Sequence, residues 1–491
     1  MHQTATSPPI LTPSDSGAYQ NPTVTRGACE GCHKSKEKCM FDAGTQTCSR
    51  CLRLAKICYS RRNKRMGRPP APGRASYGSY GVLDVNSGVQ TCDDEFGGAL
   101  FIRAEQHLAS PCTFGLPTSH YGRVSNMLET TEGFLDAHRY FMLGKSFAED
   151  FQAAVRLLFS HSPQILMNAY AAALELIPYR KMQIRTMNGL DFTAGVQCLQ
   201  YLTSMSLSPL TAEDAASILM IGQIMLVYDN LIQNKSTHTI TRGSLLRVKE
   251  WYPALIERPD LDSITLAPVL VDTVECLFRR EVPVVRLPVT DRCIVDRMVG
   301  VCSSLLPFLY DLCECSWRCK MHTVTPMGFM GENDPYLQIE RRIYAWSPQL
   351  PPDFDSKYTT RETASMLAQA SLYRTAALLI IHRLRFPLGV EDNAASVYAE
   401  NIFSELRLLA TWPPEELGFG LDFPLTVAMM EMPGPGEELF NAFQPMRFRQ
   451  SNGGSVEIMN FIKSITTMRD MGYRGPWFDF VGDGLRGMIL P

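Results

Sequence analysis

The chain has 491 residues, length for about three domains of ordinary size. With 45% hydrophobic and 20% charged residues, its composition excludes a fibrous or wholly disordered chain. No run of about 18 uncharged apolar residues occurs, so no membrane-spanning helix or membrane partner is expected.

Residues 1–25 contain no Lys or Arg and no apolar block. They are expected to be a disordered lead-in rather than a secretory leader, and the compartment to be intracellular and reducing. The net charge of −3 conceals a strong asymmetry. From Arg26 to Arg68 there are 12 basic residues against three acids, Glu30, Glu37 and Asp42. Everything after Arg68 is therefore acidic on balance. A cationic head on a large acidic body points to a polyanionic partner.

Six of the 15 cysteines fall in this head: Cys29, Cys32, Cys39, Cys48, Cys51 and Cys58. Their spacing is C-x2-C-x6-C, eight intervening residues, then C-x2-C-x6-C again. A C-x2-C pair lets two thiolates converge on one tetrahedral metal, and in a reducing compartment this reads as zinc before disulfide. Six thiolates supply two four-ligand sites only if two of them bridge. Two Zn²⁺ ions on six thiolates leave a charge of −2, so the surrounding basic residues keep the module cationic.

The segment from Ala28 to Cys39, with Cys48-Ser49-Arg50-Cys51 and Cys58, resembles the fungal Zn(II)2Cys6 binuclear-cluster family. The resemblance implies that Cys29 and Cys48 bridge two Zn²⁺ ions. Cys32 and Cys39 then complete one site, and Cys51 and Cys58 the other. It also implies a small two-helix module over residues 26–60 that reads CGG-like half-sites in double-stranded DNA. Lys36, in Lys36-Glu37-Lys38-Cys39, corresponds to the base-reading position. His33, Lys34, Lys38 and Arg50 are expected to clamp phosphates. Ser35 and the Pro-free loop ahead of Cys48 depart from the usual pattern. The Ser-Lys-x-Lys-Cys variant is similar to the aflatoxin-pathway regulator subgroup.

After the cluster comes a basic tail with Arg61, Arg62, Lys64 and Arg65. It suits phosphate contact and nuclear import. Pro69-Pro70-Ala71-Pro72-Gly73 and the Ser/Tyr/Gly stretch at 76–81 read as a flexible linker within residues 61–125. This stretch sustains no heptads. Pairing then falls to the body, as a homodimer, or the protein acts as a monomer aided by its tail.

Residues 126–491 are expected to form a large all-α body. Phe151, Val155 and Leu158 recur at helical spacing, and Ser162-Pro163 opens a further helix. Thr211 to Asp214 resembles a capping box before a helix over 215–232. Further helices are expected at 267–280, 290–319, 360–385, 394–410 and 454–471. Segments 271–280 and 376–389 resemble the fungal-specific transcription factor domain, a regulatory body that in some members senses metabolites.

No G-x-S-x-G, Walker A, strand-linked G-x-G-x-x-G or H-E-x-x-H motif occurs, so an enzyme is not expected. Cys313, Cys315 and Cys319 are expected to be buried structural cysteines, and His382 a satisfied core residue. Trp477 to Asp483 reads either as an activation segment or as a tail packed on the body. Together these features describe a nuclear, sequence-specific RNA polymerase II transcription regulator, contacting the transcription machinery and controlling a fungal secondary-metabolite gene cluster. A zinc-stabilised protein adaptor with an import tail is the alternative. The lysines between Cys32 and Cys39 separate the two, because an adaptor has no need of them.

Overall fold

The computed structural model describes residues 29, 32, 36, 38–40, 48–50, 118–181, 193–204, 209, 211–232, 237–321, 334–412, 420–443 and 454–481. It divides into two units, Met1–Thr91 and Cys92–Pro491. The described part of the second unit is helical. Its only β feature there is an isolated bridge between Asp296 and Gly300.

The body begins with α1 (Thr118–Glu129) and α2 (Thr131–His138), ahead of the expected start at 126. Thr130 makes the corner. Its hydroxyl donates to Asn126 O at 3.0 Å and accepts from the Gly133 N–H at 3.0 Å, closing one helix and capping the next. Next come α3 (Ala148–His161), then α4 (Pro163–Lys181), which opens on its proline as the sequence indicates, and α5 (Thr193–Ser204).

Helix α6 (Ala212–Ile232) organises this half of the body. Thr211 and Asp214 cap it reciprocally, each backbone N–H meeting the other side chain at 3.1 Å. The helix is apolar on every side, so it must be enclosed. α3, α4, α5, α7 (Thr237–Val248), the short α8 (Tyr252–Leu255) and α9 (Asp262–Arg279) all pack against it. At Gly222 it lies against α7 with no room for a side chain, since a Cβ there would stand 2.6 Å from Ser244 Oγ.

A single helix over 290–319 does not form. Residues 281–302 are irregular, and helix resumes only at α10 (Leu306–Met321). The cause is Asp296, whose Oδ1 accepts from the backbone N–H of Met298 at 2.9 Å and of Val299 at 2.8 Å. Aspartate thereby offers the backbone an alternative to the helix. Gly300 completes the turn at φ 56°, where a Cβ would meet Gln369 Oε1 at 2.5 Å.

The second half comprises α11 (Pro335–Ala345), α12 (Phe354–Lys357), α13 (Thr360–Arg385), α14 (Asp392–Leu409), α15 (Asp422–Glu431), α16 (Pro433–Ala442) and α17 (Gly454–Asp470). Helix α13 is its centre, packed by α11, α14 and α15. Thr359 and Glu362 form a capping box at its start. Glu362 also accepts from the Ser146 N–H and hydroxyl at 2.9 and 2.6 Å, tying the two halves together. One continuous apolar core runs through both.

Helices α6 and α13 are long and apolar enough to cross a membrane, but their windows are 78% and 67% buried inside the body, which makes them core helices. His382 is buried and meets Glu391 O at 3.1 Å, in keeping with a satisfied core residue. Trp477 and Phe478 are also buried, with Trp477 5.7 Å from the Phe278 ring, so this part of the C-terminal stretch packs on the body. Residues 482 and 483 lie outside the described residues.

Candidate metal centre

In the first unit the described residues are those of the cysteine motif. Cys29, Cys32 and Cys48 are fully buried and Cys39 is half-buried. Ser49 ties the two half-motifs together: its N–H and its hydroxyl reach Met40 O at 2.9 and 3.1 Å. This contact sets Cys48 beside Cys39, and Cys32, Ser49 and Arg50 carry helical backbone.

The four sulfurs lie within 4.8 Å of one another. Cys29 and Cys48 are 3.8 Å apart, and Cys32 and Cys48 are 3.6 Å apart. These separations are far too long for a disulfide, whose sulfurs sit about 2.05 Å apart. They match the edge of a tetrahedron with Zn–S bonds of about 2.3 Å, which is about 3.8 Å. Backbone N–H groups also point at the sulfurs, Cys29 N to Cys39 Sγ at 3.3 Å and Cys32 N to Cys29 Sγ at 3.4 Å. Such donors favour thiolate over thiol.

Without a cation the set resists ionisation. Desolvation pushes the Cys39 thiol up to about 12; the Cys29 N–H opposes this and the neighbouring thiols reinforce it. Desolvation also raises Cys32, as do Cys29 and Cys48, while Arg50, with Nη1 4.0 Å from Cys32 Sγ, pulls the other way. A divalent metal replaces those protons and removes the repulsion. The four cysteines can therefore hold a metal ion.

The remaining site residues divide clearly. Lys36 and Lys38 are exposed, and Lys36 adopts a left-handed φ of 52°. Arg50 is half-buried, its guanidinium turned toward Cys32. His33, Lys34, Cys51, Cys58, Arg61, Arg62, Lys64 and Arg65 lie outside the described residues.

A second donor set, which sequence reading missed, sits in the body. His238, Asp272 and Cys276 bring their ligand atoms within 4.8 Å. The i, i+4 spacing of Asp272 and Cys276 on α9 was the available signal; His238 comes from α7. Here, however, a cation is already in place. Arg242 Nη1 lies 3.3 Å from Asp272 Oδ1 and 3.0 Å from Cys276 Sγ. Asp272 Oδ2 accepts the Val284 N–H at 2.6 Å. The set is a polar knot closed by arginine.

Two of the three α10 cysteines are buried, as expected. Cys313 and Cys319 are buried and Cys315 is half-buried, and among the described residues none joins a metal-ligand set. A hydrogen bond from Cys315 brings Cys319 down to about 6.

In comparisons with known proteins, the chain matches no family model, no curated protein and no solved structure.

Proposed function

We propose that the protein is a sequence-specific DNA-binding transcription regulator acting in the nucleus, its N-terminal head organised by two zinc ions on six cysteines. The observation that carries this reading is the doubled C-x2-C-x6-C motif inside a strongly cationic segment. The tetrahedral spacing of the four described sulfurs supports it. In the binuclear scheme Cys29, Cys32, Cys39 and Cys48 are the complete ligand set of one zinc, with Cys29 and Cys48 shared with the second.

On this reading Lys36 reads base edges, and Lys34, Lys38, His33 and Arg50 hold phosphates beside it. The tail residues Arg61, Arg62, Lys64 and Arg65 add sequence-independent affinity. The acidic helical body regulates the head and contacts the transcription machinery.

Selection of bound sequences from random DNA by the full-length protein tests the proposal. A recovered CGG-like half-site is expected. Lys36→Ala should cost about 1–3 kcal/mol and flatten the preference within that half-site. Arg62→Ala should weaken every sequence alike and reduce the salt slope by about one. Recovery of no preferred sequence would sink the reading and favour a zinc-stabilised adaptor.

A further inference from the structure

Between α2, α3, α4, α6, α7 and α9 lies a cavity with an open mouth. Its walls are mainly apolar, with Phe141, Leu174, Met220, Ile224 and Val227 among them. A space of this kind inside a helical bundle loses packing contacts all around its lining.

One charge faces it. Arg297, only 3% exposed, stands at the cavity wall with its guanidinium 4.0 Å from the Phe151 ring centroid. Three of its N–H groups donate to Ser263 O, Phe141 O and Gln223 Oε1. A guanidinium carries five. Several other arginines of the body meet a carboxylate directly. Arg383 has Glu431, Arg242 has Asp272 and Arg292 has Asp262. The hydrogen bonds of Arg297 all go to carbonyl and amide oxygens; the buried Asp296 carboxylate acts on it through space without touching it, one of its oxygens being held by the Met298 and Val299 N–H groups. A buried guanidinium with no carboxylate in direct contact keeps N–H groups available for an anion.

The neighbouring polar pair is already satisfied. His138 Nδ1 meets Phe134 O at 3.1 Å and so must donate. Its Nε2 then accepts from the Tyr170 hydroxyl at 3.0 Å. Burial holds this histidine neutral, with Arg297 nearby acting in the same direction. Arg297 is thus the lone cation at the end of an apolar chamber.

We propose that this cavity binds a small apolar molecule bearing one carboxylate, the carboxylate pairing with Arg297 and the apolar body lying between α4, α6 and α9.

Decanoate and decanol, titrated into the full-length protein by calorimetry and thermal melting, test this. Decanoate should bind one per chain, raise Tm, and outbind decanol by at least about tenfold. Arg297→Gln should erase the preference for the acid. Val227→Phe, at a half-buried lining position, and Ala173→Phe fill the chamber; each should abolish binding of both probes while the ligand-free protein still melts cooperatively. Failure of decanoate to bind the wild type, or undiminished binding to a folded Val227→Phe or Ala173→Phe, would overturn the site. Equal affinity for acid and alcohol would overturn the role of Arg297. No nucleic acid enters the measurement, so its outcome is independent of the DNA-binding reading.

Discussion

Gln223 Nε2 lies 2.9 Å from the Ile264 carbonyl, the acceptor that Pro268 leaves without its helical donor. Proline inside α9 has no N–H, so the carbonyl four residues back loses its intrahelical bond. A side chain from α6 supplies it instead. The other end of the same amide, Oε1, accepts from Arg297 Nη2 at 2.7 Å, so one glutamine joins α6, α9 and the irregular segment after α9.

Gln223→Leu should therefore destabilise the body by about 1–3 kcal/mol, the cost of leaving buried polar groups unmet. Pro268→Ala restores an N–H for Ile264. The double variant should lose less than the two single variants combined, because the sites are coupled. Urea unfolding followed by tryptophan fluorescence reads this directly, since all five tryptophans lie in the body. Simple additivity would refute the coupling.

His138 sets a pH dependence of known sign. Its ordinary value of 6.5 falls to about 3 in the fold, chiefly through desolvation. Below 6.5 the unfolded chain takes up a proton that the folded chain refuses. The contribution is fully favourable above 6.5 and is lost as pH falls toward 3. By about pH 5.5 the loss amounts to about 1.4 kcal/mol. His138→Phe should lack this increment of acid sensitivity. Asp262, raised to about 6 by burial, works in the opposite sense but is common to both proteins and cancels in the difference. Identical pH profiles for the two proteins would refute the assignment.

Arg383 and Glu431, each 1% exposed at the side chain, form an ion pair that Asp392 and Arg469 extend. Arg383→Met strands a buried carboxylate and should cost about 3–5 kcal/mol. Adding Glu431→Leu removes the stranded charge, so the double variant should recover a measurable part of that loss in the same urea assay. A double variant less stable than Arg383→Met would show that the pair is held for something other than mutual neutralisation.

Metal content distinguishes one ion from two. Elemental analysis of the full chain should give about two zincs, the number that six cysteines with two bridges hold. Cys48→Ser should lower both, and Cys58→Ser should spare the first. A value near one excludes the binuclear arrangement. Chelation should leave the tryptophan unfolding curve of the body unchanged, because among the described residues the cysteine cluster and the large core share none.

Much of this molecule was legible in one dimension because the relevant physics is local. A C-x2-C-x6-C spacing constrains where thiols fall whatever surrounds them, and the thiols of Cys29, Cys32, Cys39 and Cys48 do converge. Helix periodicity and end signals placed α13 at its observed bounds and the starts of α4 and α6 within a few residues. The 290–319 segment misled because its apolar spacing suits a helix, whereas Asp296 turns the chain by binding the Met298 and Val299 N–H groups, and Gln369, remote in sequence, donates to Met298 O at 2.8 Å. The cavity, the lack of a carboxylate touching Arg297 and the Gln223 bond to Ile264 had no sequence signature, and of the Arg242 knot only the i, i+4 spacing of Asp272 and Cys276 was visible. Each depends on which helix faces are pressed together. An arginine's charge is evident in any sequence, but whether a carboxylate stands opposite it is decided only when distant helices pack.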